Sequence, residues 1–207
     1  MMTSWGYTLT DVETLPDLLS ADEFNNFTAN KYSGDVRISS EISAACAAIR
    51  NYCGWHISPS VSCNFSEHLL YGDGRVKYVG RDLLIQLPAT FVSSIVSVKI
   101  DGVERDDFEC DGGNGHLYVF DVGKLSRKTK VEVDYVAGIT GADINAIKEL
   151  IAHRVTHAMA VPAGVTSESS GGVSVTYNAN WVNSARATAL PDDNKEVLAP
   201  YRVRGVF

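Results

Sequence analysis

Several signatures are missing from this sequence, and each absence narrows the reading. No window approaches the roughly 18 uninterrupted apolar residues of a membrane-spanning helix, so no membrane partner is expected. None of the four cysteines, Cys46, Cys53, Cys63 and Cys110, forms a C-x-x-C pair, which argues against a zinc ribbon or a thioredoxin-like site. Cys46 and Cys53 are seven apart in a predicted helix, roughly 10 Å along its axis and too far for a disulfide. They read as small buried hydrophobes from a reducing cytoplasm. Positive charge is scarce: 18 Lys and Arg stand against 25 Asp and Glu, a net charge of −7. Such a chain does not grip nucleic acid by bulk charge, although it could guide DNA through an acidic-walled passage. The opening residues MMTSWGYTLTDVETLPDLL have no basic region and no apolar core, so a signal peptide is not expected.

What is present predicts a folded domain with appendages, since 45% of the residues are hydrophobic and 21% charged. The organising stretch is Ala137 to Ala160. Gly138 and Gly141 break a strand pattern, and Thr140 and Asp143 have capping-box spacing. Ile144, Ile147, Ile151, Val155 and Ala158 then recur at helical period, with Leu150 and Met159 widening the stripe, until Pro162 and Gly164 stop it. A second capping box, Ser20 to Glu23, opens a short helix carrying Phe24 and Phe27. A longer helix runs from about Val36 to Cys53, with Ile38, Ile42, Ala45, Ile49 and Tyr52 on one face and Gly54 at its C-terminal end.

From Trp55 the period switches to two. Strands are predicted at Glu67–Tyr71, Val76–Val79, Leu83–Leu87, Ile95–Ile100, His116–Phe120 and Val131–Tyr135, with a hairpin at Asp101-Gly102. After Pro162, GVTSESSGG reads as polar and flexible. Val173 to Tyr177 alternates like a strand without an obvious local partner, and Leu190 to Leu198 suits a short helix. The expected fold is therefore α+β: a small helical bundle, a β-rich insertion between two main helices that pack on each other, and an extended C-terminal tail. The expected division is a leader at 1–19, a core at 20–161 with its insertion at 55–136, and a tail at 162–207.

Candidate chemistry is sparse. His153 and His157 have the i, i+4 spacing of a zinc-chelating helix, but the residues between them are Arg-Val-Thr, so the general-base glutamate of an H-E-x-x-H site is absent. The plain reading is two histidines at the edge of a packed or subunit-facing surface. Asp111 to Gly115 lacks the alternating carboxylates of a calcium loop. Gly72, Gly74 and Gly80 do not have nucleotide-site spacing, and no G-x-S-x-G is present. No catalysis, bound metal or cofactor is expected. Lys124, Arg127, Lys128 and Lys130 form the one dense basic run, which reads as a solvated turn or as a loop facing DNA or a partner. The aromatic, apolar and basic terminus Pro200 to Phe207 reads as a peptide that orders on a partner.

The order of several segments is more specific than any one of them. A helix ends in Ile49-Arg-Asn-Tyr-Cys-Gly54. The β region contains Leu87-Pro-Ala-Thr-Phe-Val-Ser-Ser-Ile-Val-Ser-Val-Lys-Ile-Asp-Gly102. A strand Val131-Glu-Val-Asp-Tyr-Val-Ala-Gly138 runs straight into a helix, and the tail gives Ser167 to Tyr177 and Leu198-Ala-Pro-Tyr-Arg202. Together they resemble the head-to-tail connector (adaptor) family of long-tailed bacteriophages, over roughly Ser20 to Arg202. The resemblance implies a structural virion protein, assembled in the host cytoplasm as a homo-oligomeric ring, usually a dodecamer. That ring would sit in the neck between the portal and a stopper or tail-completion protein, and genomic DNA would pass through it without sequence-specific binding. Carried onto this chain, the portal-binding residues would be Tyr201, Arg202, Val203, Arg204, Val206 and Phe207, with Trp181. The leader before Ser20 and the elaborated 105–130 region depart from the family pattern. Two alternatives remain: another neck component, such as the stopper or a tail-completion protein, and a small metal-dependent hydrolase using His153 and His157.

Overall fold

The structure, a computed structural model, describes residues 3–69, 74–126, 128–160, 167–170, 173–176 and 190–203. It divides into two compact units. One comprises Met1–Pro16, Cys53–Thr140 and Tyr201–Phe207; the other comprises Asp17–Tyr52 and Gly141–Pro200.

The first unit is built of strands: β1 (Thr8–Leu9), β2 (Val61–His68), β3 (Val76–Val79), β4 (Asp82–Gln86), β5 (Val92–Ile100), β6 (Val103–Glu104), β7 (Phe108–Asp111), β8 (His116–Val119) and β9 (Lys130–Ala137). They form two antiparallel sheets, ordered β1-β2-β9-β5-β6 and β3-β4-β8-β7. In β9 every second residue is buried: Val131, Val133, Tyr135 and Ala137. Their partners on β2 are Glu67, Phe65, Cys63 and Val61, and on β5 Val98 faces Val133 while Ile100 faces Val131. The period-two pattern of three strands thus stacks into one apolar face. Burying each Val, Ile or Phe side chain of that face contributes about 1.5–3 kcal/mol; Glu67, at its end, is only half-buried. In the second sheet Leu83 pairs with Val119 and Ile85 with Leu117, all four fully buried.

The second unit holds α1 (Ala21–Phe27), α2 (Ile38–Cys53, whose last residue falls in the β unit), α3 (Asn145–Ala160) and α4 (Asp192–Leu198). The Ser20 capping box is formed: Glu23 N–H donates to Ser20 Oγ, and Ser20 N–H donates to Glu23 Oε2. A 3-10 turn at Gly141–Ile144 leads into α3, which lies against α1 and α4.

The expected helical bundle with a β-rich insertion is overturned. Nine strands in two antiparallel sheets dominate the chain, and the four described helices are short. The physical reason lies in the pairing just described. Apolar faces that stack across three adjacent strands need a core of their own; they are not a hairpin lying on helices. Elements also shift. The strand expected at Glu67–Tyr71 is instead β2, which begins at Val61. Val173 has a local partner after all: β11 (Val173–Thr176) pairs antiparallel with β10 (Ser167–Ser170), inside the segment read as flexible.

Candidate functional site

The residues singled out near the C-terminus do not stand apart from the fold at their root. Gly54, at a φ of +79°, ends α2 and turns the chain into Trp55. Trp55 is fully buried, and its Nε1–H donates to the Tyr201 carbonyl at 2.6 Å. Val203 N–H donates to the Cys53 carbonyl at 2.9 Å. Phe91 lies between the two aromatic anchors. Its ring stacks on Trp55 at 6.2 Å and 6°, and on Tyr201 at 5.7 Å and 23°. Phe91 adopts a left-handed φ of +54°, a strained conformation for an aromatic residue. Between the two tied positions the Arg202 side chain is exposed. Burial pushes the Cys53 thiol up to about 12 against the lowering effect of Arg202, so this thiol is no nucleophile.

Beside this clasp lies a closed polar network. The fully buried His56 faces the Pro59 and Ala137 carbonyls through Nε2, at 3.1 and 3.0 Å. Two acceptors there assign the proton to Nε2. Nδ1 then accepts from the Tyr7 hydroxyl at 2.7 Å, and that hydroxyl accepts from His56 N–H at 3.0 Å. Every polar atom of the imidazole is used in holding the chain together, which is a structural role. Sequence reasoning passed over Trp55, His56, Phe91 and Tyr7. Trp55, directly after a helix-ending glycine, was the one local signal.

The basic run divides. Lys124 and Lys128 are exposed, while Lys130 opens β9 and pairs with Glu132 at 2.7 Å. The loop before it is tied down: the Tyr78 hydroxyl donates to the Gly123 carbonyl and accepts from Leu125 N–H, both at 2.6 Å. Thr129 Oγ1 donates to Asp101 Oδ2 at 3.0 Å. Arg127, Trp181, Arg204, Val206 and Phe207 lie outside the described residues.

On α3, His153 is exposed and His157 half-buried. Burial, then the charges of Arg154 and His153, hold the His157 imidazole below its ordinary value. His153 opens onto a groove of about 410 Å³ shared with Phe27, Lys31, Tyr32, Glu149 and Thr156. Among the described residues, no three His, Cys, Asp or Glu side chains come together as a metal-binding group. Also among the described residues, no helix is long and apolar enough to cross a membrane.

No protein-family model matches the chain, and no curated protein matches it.

Proposed function

We propose that the chain is a structural neck protein of a long-tailed bacteriophage virion. In this reading copies form a ring that joins the portal of the DNA-filled head to the stopper or tail and lines the DNA channel. The reading rests on the ordered series of segments, from the helix ending at Gly54 to the terminal Tyr201-Arg202. The geometric observation that supports it best is the clasp at Trp55. A terminal segment rooted by one side-chain and one backbone hydrogen bond and a ring stack starts from a fixed point, so less freedom is lost when the residues beyond the root dock. On this view Tyr201 and Val203 act as the root, with Arg202 and the residues after Val203 reaching the portal.

The test is the mass of the protein in solution by light scattering, alone and with added portal, for the full chain and for a chain lacking Arg204–Phe207. The full chain should form a ring, or a monomer that assembles only on the portal. The shortened chain should keep the Trp55 seat and lose portal attachment. A full-length monomer indifferent to the portal would overturn the reading in favour of a stopper.

A further inference from the structure

The residues before helix α1 form an arm with its anchors at the far end. Tyr7 and Leu9 are 3% and 0% accessible, as deep as the core of the sheets. β1 lies antiparallel on β2, with Thr8 opposite Asn64 and Leu9 opposite Cys63, and Thr10 N–H donates to the Ser62 carbonyl at 3.0 Å. The Tyr7 ring stands 5.9 Å from that of His56 and 6.5 Å from that of Tyr135, tilted on both. Its hydroxyl joins the His56 ring and the His56 N–H, at 2.7 and 3.0 Å. The arm also holds its own shape. Thr3 N–H and Thr3 Oγ1 both donate to the Tyr7 carbonyl, at 3.0 and 2.7 Å, and Gly6 turns the chain at a φ of +89°. The β unit thus offers a socket at His56, Cys63 and Tyr135 that takes one tyrosine, one leucine and a short edge strand.

The tether behind the arm has a different character. Asp11 to Asp17 holds no helix and no strand, and Asp11, Glu13, Thr14, Pro16 and Asp17 are exposed. Both of its ends are fixed: Ser62 N–H donates to Asp11 Oδ2 at 3.3 Å, and Ser43 Oγ donates to Asp17 Oδ2 at 2.7 Å. The division between the two compact units falls inside the tether, after Pro16. Exposed linkers at such divisions are where a chain changes direction at least cost. Seven extended residues span at most about 25 Å, enough to carry the arm to an adjoining copy without unfolding either unit. The large exposed apolar side chains, by contrast, are scattered over α1, the turn before α2, β3, β5, β6, β8 and α4. Single apolar residues of that kind are ordinary surface. Association draws most of its energy from a few deeply buried anchors, and Tyr7 and Leu9 are such anchors, seated in a matching site.

We propose that copies in the ring exchange these arms, so that Tyr7 and Leu9 of each copy fill the socket at His56, Cys63 and Tyr135 of the next. The occupant is a second copy because arm and socket are both present on this chain, and every contact just named is kept when the arm changes socket. For that reason exchange of an identical element is a low-cost route to association. The copy's own arm competes for the socket. A portal that holds copies side by side raises the effective concentration of the neighbouring arm and favours the exchange. An arm handed from each copy to the next is a head-to-tail contact, and such contacts close into rings when the rotation allows. This inference rests on the ring reading and names the contact that joins its members.

A disulfide trap tests it. Thr10 is exposed and Ser62 half-buried, and the Thr10 N–H bond to the Ser62 carbonyl makes them a hydrogen-bonded cross-strand pair. The Cα atoms of such a pair lie about 5.5 Å apart, inside the roughly 4.4–6.8 Å that a disulfide spans. One variant carries Thr10→Cys and Ser62→Cys, together with Cys110→Ser to remove the exposed native thiol. The changes are small and lie outside the core, so the reduced variant should keep the wild-type melting temperature. The protein is assembled alone and on the portal, oxidised, denatured and separated by mass without reductant. Exchanged arms should give a ladder at multiples of the chain mass, ending at the closed ring and collapsing to one band with reductant. Chains bridged only to themselves, or chains that assemble and stay unbridged, overturn the exchange while the ring reading stands. Two further variants carry Thr10→Cys or Ser62→Cys singly, each with Cys110→Ser. Their equimolar mixture should give covalent dimers and nothing larger, and each alone should stay single. Dimers from either one alone would mark chance collision and overturn the exchange. If the wild type stays monomeric both alone and on the portal, the ring reading falls and takes this contact with it.

Discussion

Strand β9 and helix α3 are separated only by the short Gly138–Ile144 connection, yet they bury their side chains differently. β9 lies between two partner strands and buries every second residue, Val131, Val133, Tyr135 and Ala137, none of them charged. α3 buries Ile147, Ile151, Ala152, Val155 and Met159, but also Arg154, which is 7% accessible. Burial lowers the Arg154 guanidinium from its ordinary value, and the charge of Asp193 on α4 opposes that. The strand buries no charged residue, whereas the helix buries a guanidinium whose charge is favoured by Asp193, more than thirty residues further along the chain. Two hydrogen-bonded neighbours specify the register of β9. α3 is held instead by packing against α1 and α4.

The largest effect should come from cutting into the strand-defined core. Phe65→Ala, opposite Val133 and 2% accessible, should cost about 3–5 kcal/mol, read from urea unfolding. Met159→Ala, near the end of α3 and 7% accessible, should cost nearer the lower part of the roughly 2–5 kcal/mol range. Equal losses would mean that the two cores are equally tight and would break the comparison.

Arg154 gives a smaller and sharper test. Arg154→Met should be neutral or stabilising by about 1 kcal/mol, because a buried charge is exchanged for an apolar chain of similar length. Asp193→Asn should cost roughly 0.5–1 kcal/mol, an effect that fades in high salt because Asp193 is exposed. A large loss on Arg154→Met would show that the guanidinium is structurally required.

The smallest effects should come from the end of α1. Ser20→Ala removes the cap and should cost about 1 kcal/mol. Lys148, and after it the Ser20 backbone N–H, hold the Glu23 carboxyl below its ordinary value of 4.5. A depressed folded value means that the stabilisation is complete above the ordinary glutamate range and is lost as pH falls through the folded value. Acid titration of the melting temperature should therefore show a decline below about pH 4.5 that is shallower in Glu23→Gln, with Asp11, Asp35, Asp111 and Asp192, also held low, supplying the remainder. An identical decline in both proteins would remove Glu23 from the acid response.

Much of the local structure was legible. β3 falls at Val76–Val79, where alternation placed it. The Ser20 capping box forms, and α2 ends at Cys53 with Gly54 in the left-handed conformation. β2 was displaced although Val61, Cys63 and Phe65 alternate, because polar Ser62, Asn64 and Ser66 between them resemble a loop. β10 was missed because Ser167–Ser170 has no apolar period, and its strand state comes entirely from backbone pairing with β11. In the candidate site, Tyr201, Arg202 and Val203 read alike as an aromatic and basic tail. Only the contacts separate them, with Tyr201 on Phe91, Val203 bonded to Cys53 and Arg202 outward.

By itself the sequence determined where helices begin and end and which strand faces are apolar. Caps, glycines and periodicity act within a few residues, and those ranges are written along the chain. Tertiary structure alone decided that the sheets form a unit of their own and that Trp55 takes Tyr201 from almost 150 positions away. Each of these depends on which distant segments become neighbours. That is set by closing loops whose entropy cost rises only slowly with length, so sequence separation says little about which closure wins.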